Sequence, residues 1–286
     1  MKNLHQRAEI LMEALPYIKA YHGKTVVIKY GGGAMTSVAL KESIASDIVL
    51  MKLVGISPVI IHGGGLEITA MMKRLDLPVE FIGGLRKTDA EAMDIVKMVL
   101  VGKINKEIVS LINRHGRMAV GLSGDDGGLI AARKKKHQPD LGFVGDIDRI
   151  NARVLKDLIA DDYVPVIASI GAGEQGESYN INADTVAAEV AAAIKADKVI
   201  FLTDVEGLYR DFAQKHTLIS ALSYKECKKM VSGKEIDGGM LPKVAGCMRA
   251  IEAGVSRAHI LNGTIPHAML LEIFTNEGIG TMISGD

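Results

Sequence analysis

Two stretches of the chain place chemistry-bearing groups where an ordinary fold would not. In "VVIKYGGGAM" (Val26–Met35) an apolar, β-branched run ends in Lys29, and three glycines follow soon after. A lysine closing a buried strand is costly without a partner, so its ammonium is expected in a ligand crevice. "VIIHGGGL" (Val59–Leu66) repeats the pattern without the lysine. Glycines between a strand and a helix permit positive φ and close backbone approach. Their successive N–H groups form an anion nest, to which the helix start adds partial positive charge. Either run alone would read as a tight turn. Together, Gly31–Gly33 and Gly63–Gly65 point to a phosphate or carboxylate held from two sides.

Other nucleotide signatures fail. "VGKIN" (Val101–Asn105) has Gly-Lys followed by Ile inside a helical pattern, which is not a phosphate-binding P-loop. "GAGEQG" (Gly171–Gly176) has the letters of a dinucleotide fingerprint, but "ESYNIN" follows and opens no helix. It is read as a loop.

The elements that must position these residues alternate between strand and helix. Strand-like runs fall at Thr25–Tyr30, Pro58–Ile61, Met118–Leu122, Val164–Ile170, Val199–Leu202 and Ala258–Leu261. Helical patterns cover Val38–Leu53, Leu66–Leu75, Ala90–Arg114, Val154–Ile159, Asp184–Lys195, Pro242–Glu252 and His267–Phe274. Apolar strands alternating with helices imply an α/β fold with a mainly parallel sheet covered on both faces. Ligands of such sheets lie beyond the carboxyl ends of the strands. Arg133–Ile150 interrupts the rhythm and reads as a surface hairpin with a solvated basic run. Ahead of the first strand, Leu4, Ala8, Leu11, Leu15 and Ile18 mark an amphipathic helix capped by Asn3, ended by Gly23 and kinked at Pro16. Periodicity does not say whether this helix packs on its own domain or on another subunit.

Composition narrows the class. With 286 residues, 48% hydrophobic and 24% charged, the chain is globular. Lys plus Arg balances Asp plus Glu at 34 each, which gives no whole-protein case for nucleic acid or membrane partners. The two cysteines match no metal spacing and suit a reducing, cytoplasmic setting.

Several segments in order resemble the amino-acid kinase family. They are "IKYGGGAM", "IHGGG", "GLRKTD" (Gly84–Asp89), "GLSGDDGGL" (Gly121–Leu129), "YNINADTVAAEVA" (Tyr179–Ala191), "FLTDVEGLY" (Phe201–Tyr209) and "GGMLPKV" (Gly238–Val244). The resemblance is strongest to the branch that phosphorylates the γ-carboxylate of N-acetyl-L-glutamate with ATP and Mg²⁺, on the arginine-biosynthesis route. A branch acting on acetylaminoadipate is the alternative. The implied fold is a three-layer α/β/α sandwich. Residues 1–24 would be an oligomerisation arm, residues 25–195 a substrate lobe, and residues 196–286 a lobe for ATP and a regulator.

The resemblance also implies residue roles. Lys29 and Lys243 would flank the moving phosphoryl group, Asp184 would hold both lysines, and Gly32 with Gly64 or Gly65 would donate N–H groups. Gly64, Gly65, Arg86, Asn180 and Asn182 would bind the acid substrate. Thr203, Asp204, Gly207, Leu208, Tyr209, Gly238, Gly239 and Met240 would bind ATP, with Mg²⁺ carried on its phosphates and no protein metal site. Members that arginine inhibits carry an N-terminal helix that links dimers into a hexamer, and this chain looks like that type. Tyr17, His259 and Glu272 would then belong to the arginine site.

Overall fold

The computed structural model describes residues 2–236, 238–275 and 278–285, without the side chains of residues 2–8 and 10. Helix α1 (Lys2–Tyr21) precedes β1 (Thr25–Tyr30), α2 (Val38–Leu53), β2 (Ser57–His62) and α3 (Gly65–Arg74). A short hairpin of β3 (Phe81–Ile82) and β4 (Leu85–Arg86) leads into one long helical run. That run is α4 (Ala90–Lys97), a π-helical stretch (Met98–Asn105) and α5 (Lys106–Asn113). Then come β5 (Ala119–Leu122), β6 (Ile130–Lys134), β7 (Gly145–Ile150), α6 (Ala152–Ala160), β8 (Val164–Ala168), β9 (Ile170–Ala172), β10 (Ser178–Asn180) and α7 (Ala183–Ile194). The last part holds β11 (Lys198–Thr203), β12 (Ala221–Ser223), α8 (Tyr224–Ser232), α9 (Leu241–Glu252), β13 (Arg257–Asn262), α10 (Ala268–Phe274) and β14 (Thr281–Ser284).

Eight strands form one sheet in the order β12-β14-β13-β11-β1-β2-β8-β5. Only the β13–β14 pair is antiparallel among them. Side-chain alternation along a strand explains the layers. Val26, Ile28 and Tyr30 of β1, with Ile60 of β2, pack into one core, with residues of α2, α10 and the long helical run. Val27 of β1 and Val59 and Ile61 of β2 face a second core, built with residues of α6, α7, α8 and α9. The expected three-layer sandwich follows from this split. It also fixes Lys29, which shares its face with Val27, on the side of α7 and α9.

Four points go beyond or against the sequence reading. The strand expected over Val164–Ile170 breaks at Ser169, and β9 leaves for a second sheet in the order β10-β9-β6-β7. "GAGEQG" spans the β9–β10 turn, closed by the Gly173 N–H donating to the Glu177 carbonyl at 2.8 Å. The basic run at Lys134–Lys136 is tied locally, with Lys134 to Asp140 and Lys135 to Asp146 at 2.6 Å each. Helix α1 already includes Lys2, so Asn3 is inside its first turn; the Asn3 side chain lies outside the described residues. Among the described residues no helix is long and apolar enough to cross a membrane.

Candidate active site

The site is assembled at the carboxyl ends of β1, β2 and β11. Lys29 comes from β1 and Asp184 from the first turn of α7, and α9 brings Lys243 at its third position. Lys29 Nζ is 3.1 Å from Asp184 Oδ1, an ion pair outside hydrogen-bond alignment. Lys243 Nζ is 3.3 Å from Asp184 Oδ2 and donates to it. One carboxylate thus holds two ammonium groups that are 214 positions apart in sequence (243 − 29). Asp184 is not the helix cap. Asn182 is, its side-chain oxygen accepting from the N–H groups of Asp184 and Thr185 at 2.8 and 3.2 Å. That leaves the aspartate free to pair with both lysines.

A cavity of about 300 Å³ opens on this pair. Lys29, Gly32, Gly64, Gly65, Arg86, Asn180, Asn182, Asp184 and Lys243, all expected from the sequence, line it. Gly32 has φ 65°, in the left-handed region that favours glycine. Arg86 is only 6% exposed. Its guanidinium donates to the Gly65 carbonyl at 2.9 Å and to the Thr69 hydroxyl at 2.6 Å, and stacks on Phe81 at 4.6 Å. Burial pulls its pKa down, and among the described residues it has no carboxylate partner. A cation desolvated without a counter-anion calls for an anionic ligand. Counting Lys29, Lys243 and Arg86 against Asp184, the cavity has a positive surplus. Asn180 donates to the Thr88 hydroxyl at 3.3 Å, which fixes its amide at the rim.

A second cavity, of about 620 Å³, adjoins the first and shares Lys243 with it. Thr203, Asp204, Gly207, Leu208, Tyr209, Gly239 and Met240 line it as expected, whereas Gly238 stands outside its wall, in the turn that leads into α9. Sequence reasoning missed Arg210, Asp211, Phe212, Glu235 and Ile236 there. They sit in irregular chain with no periodicity to flag them. In the first cavity it missed Phe81 and Ser169, which carry no motif of their own.

A third cavity, of about 370 Å³, lies between α1 and the C-terminal strands. Tyr17, His259 and Glu272 meet in it, together with Tyr21, Lys198 and Arg257, which the sequence did not single out. His259 Nδ1 is 2.6 Å from Glu272 Oε1, close but off the line of a good hydrogen bond. Burial holds the His259 pKa low. Burial pushes Glu272 up, but the His259 contact and the Ile279 N–H outweigh it and leave its pKa low as well.

Comparison with known proteins points the same way. The sequence pattern described as "Amino acid kinase family" matches residues 24–262. Acetylglutamate kinase of Caldicellulosiruptor saccharolyticus is 54% identical, over 99% of this chain and 98% of its own length. The acetylglutamate kinase of Heliobacterium modesticaldum is also 54% identical, over 97% and 98%. Among solved structures, N-acetylglutamate synthase of Neisseria gonorrhoeae, complexed with coenzyme A and N-acetyl-glutamate, superposes with a TM-score of 0.87 at 24% identity. The match covers 98% of this chain but only 63% of the synthase, so it speaks to the fold alone. Carbamate kinase of Giardia lamblia bound to AMP-PNP gives a TM-score of 0.69 at 18% identity, over 92% and 99%. With the family pattern across most of the chain and relatives more than half identical end to end, the protein belongs to the amino acid kinase family, in its acetylglutamate kinase branch.

Proposed function

We propose that the protein transfers the γ-phosphoryl group of ATP to the γ-carboxylate of N-acetyl-L-glutamate, giving the acyl phosphate used in arginine biosynthesis. The observation that carries the residue roles is the Lys29–Asp184–Lys243 bridge where two cavities meet. The nucleophile is already an anion at neutral pH, its reference pKa being about 4.3 for a Glu-like acid, so no general base is required. The barrier is the approach of one anion to another, and catalysis is positioning and charge stabilisation. Lys29 and Lys243 neutralise the equatorial oxygens of the phosphoryl group, and Asp184 keeps the two like charges side by side. Gly32, Gly64 and Gly65 add N–H donors. Arg86 takes the α-carboxylate of the substrate in a two-pronged grip, and Asn180 and Asn182 hold its acetamido end.

ATP occupies the second cavity, with residues 25–195 as the substrate lobe and 196–286 as the nucleotide lobe. Mg²⁺ carried on the ATP phosphates would supply charge neutralisation there. Arginine feedback fits the third cavity, where Glu272 suits a guanidinium, and Lys198 and Arg257 suit a carboxylate. Helix α1 acts as the arm of a ring-like hexamer, in the cytoplasm.

ADP release measured over acetylglutamate, acetylaminoadipate, glutamate and aspartate, each with and without arginine, tests this reading. One methylene is worth about 1–3 kcal/mol of discrimination. Acetylglutamate is therefore expected to lead acetylaminoadipate in kcat/KM by about 10- to 200-fold. Turnover confined to another acid would overturn the substrate, and no effect of arginine would overturn the regulation.

A further inference from the structure

The glycine turn after β2 must be held still to act as a donor, and a buried pair behind it does this. His62, the last residue of β2, is fully buried and does not line the first cavity, whereas Gly63, Gly64 and Gly65 after it do. Its Nδ1 is 3.1 Å from the Gly63 carbonyl oxygen, and its Nε2 is 3.1 Å from Nδ2 of Asn105. The same Asn105 nitrogen reaches the carbonyl of Val166 at 2.9 Å and that of Leu122 at 3.3 Å. Carbonyls only accept, so this atom is the NH₂ group and the amide orientation is fixed. Facing a donor, Nε2 of His62 is the bare ring nitrogen. The proton is on Nδ1, which donates it to Gly63. Burial lowers the pKa of the ring to about 4, so it is neutral throughout the working range.

The peptide unit between Gly63 and Gly64 is planar and trans, so its C=O and N–H point opposite ways. Anchoring the oxygen toward His62 turns the Gly64 N–H away from the buried ring and toward the cavity. The Gly63 N–H is already spent on the Tyr30 carbonyl at 3.3 Å, and among the described residues nothing accepts from Gly64. The π-helical stretch backs the arrangement. Its residues Leu100 and Ile104 press on Gly64, where an added Cβ would come within 2.7 and 2.2 Å of them. Its last residue, Asn105, fills space at Gly121, where a Cβ would lie 2.0 Å from the amide oxygen. π-helical turns are frequent at functional sites, and here the stretch presents Leu100 and Ile104 to the turn and Asn105 to β5.

We propose that His62, held by Asn105, is a positioning residue that aims the Gly64 N–H at the transferring phosphoryl group. The role rests on the carboxylate-kinase reading above. Asparagine at position 62 puts an amide nitrogen near the place of Nδ1; glutamine puts its amide near Nε2. His62→Leu is expected to lower kcat by about 100-fold, the scale of a misplaced donor, with the KM for ATP changed less than about two-fold. His62→Asn is expected to recover about tenfold of that loss and His62→Gln none. If the leucine variant does not fold, the Asn–Gln comparison at matched melting temperature decides. Equal kcat in those two, or a folded leucine variant near the parent rate, overturns the proposal. Ring ¹⁵N shifts of His62 in the unliganded parent give a readout that needs no turnover. A protonated Nδ1 is expected, and a protonated Nε2 overturns the positioning role while leaving the kinase reading intact. A protonated Nδ1 in a parent that does not turn over acetylglutamate counts against the substrate alone.

Discussion

At the scale of single residues, the site depends on like charges being kept together. Lys29 and Lys243 would repel one another without Asp184 between them, and each is largely out of water. Removing one cation removes stabilisation that matters most when charge spreads onto the phosphoryl oxygens. Lys29→Ala is therefore predicted to lower kcat by roughly 10²–10³ while leaving the KM for ATP within about threefold, read from steady-state rates. A normal kcat in a folded variant would contradict its role. A different residue tunes stability. Asp47 of α2 is buried, and burial raises its pKa to about 6 even though His267 Nδ1 lies 2.6 Å away. Its folded pKa is above the unfolded value, so stability from this group is full at low pH and is lost as pH rises through about 6. Asp47→Asn removes that loss but also weakens the contact with His267. The variant is predicted to gain on the parent by about 1.4 kcal/mol between about pH 5 and about pH 7.5, from denaturant midpoints at both. A gap that does not change with pH would refute the assignment.

At the scale of elements, the glycine turns depend on what packs behind them. At Gly64 a side chain is excluded by contact, since an added Cβ would run into Ile104 and Leu100 of the helical run. Gly65, one residue on, has open space at its Cβ position. Gly64→Ala is predicted to cost about 1–3 kcal/mol by overpacking, and Gly65→Ala less than about 0.5 kcal/mol. The nearest atom to the new methyl is Ile104 Cδ1, which valine lacks. Gly64→Ala combined with Ile104→Val should then be more stable than the sum of the two single losses, by about 1 kcal/mol in a double-mutant cycle. Additive losses would mean that the turn moves instead of pressing on the helix.

The same scale shows what the sequence could and could not reveal. The buried parallel strands read clearly because both faces are covered and their runs are almost wholly apolar, as at Thr25–Tyr30. Half of the second sheet read as the hairpin expected over Arg133–Ile150, which β6 and β7 form; β9 and β10 did not, because they have three residues each and Gly171 interrupts any pattern. The π-helical stretch was invisible because its apolar spacing passes for an α-helix. Lys29 was legible as a charge in an apolar run. Its meeting with Lys243 could only be inferred from resemblance, since side-chain alternation fixes the face of β1 but not which helix covers it. Arg86 stood out only within "GLRKTD"; its burial comes from Phe81, Thr69 and the Gly65 carbonyl, none of which is adjacent in sequence.

At the scale of the whole molecule, β1 and β11 join two half-sheets, with Lys29 in register with Phe201 and all three cavities reached from that seam or from its C-terminal side. Helix α1 lies outside this frame. It contacts α10, and Tyr21 lies under the Lys198 ammonium at 4.7 Å. Yet Leu11, Met12 and Leu15 remain 73%, 63% and 51% exposed. Three large apolar side chains grouped on one helix are costly in water and suit a second copy of the arm. Removal of the arm should then separate two properties. A chain starting at Thr25 retains every residue that lines the first two cavities, so its kcat is expected to stay within about twofold of the parent. It loses Tyr17 and Tyr21 from the third cavity, so half-inhibition by arginine should need at least about tenfold more ligand, the effect of losing about 1.4 kcal/mol of binding. By sedimentation or light scattering it should also drop to a smaller oligomer. An unchanged assembly would refute the arm, and a smaller assembly with full arginine sensitivity would move the regulatory site away from α1.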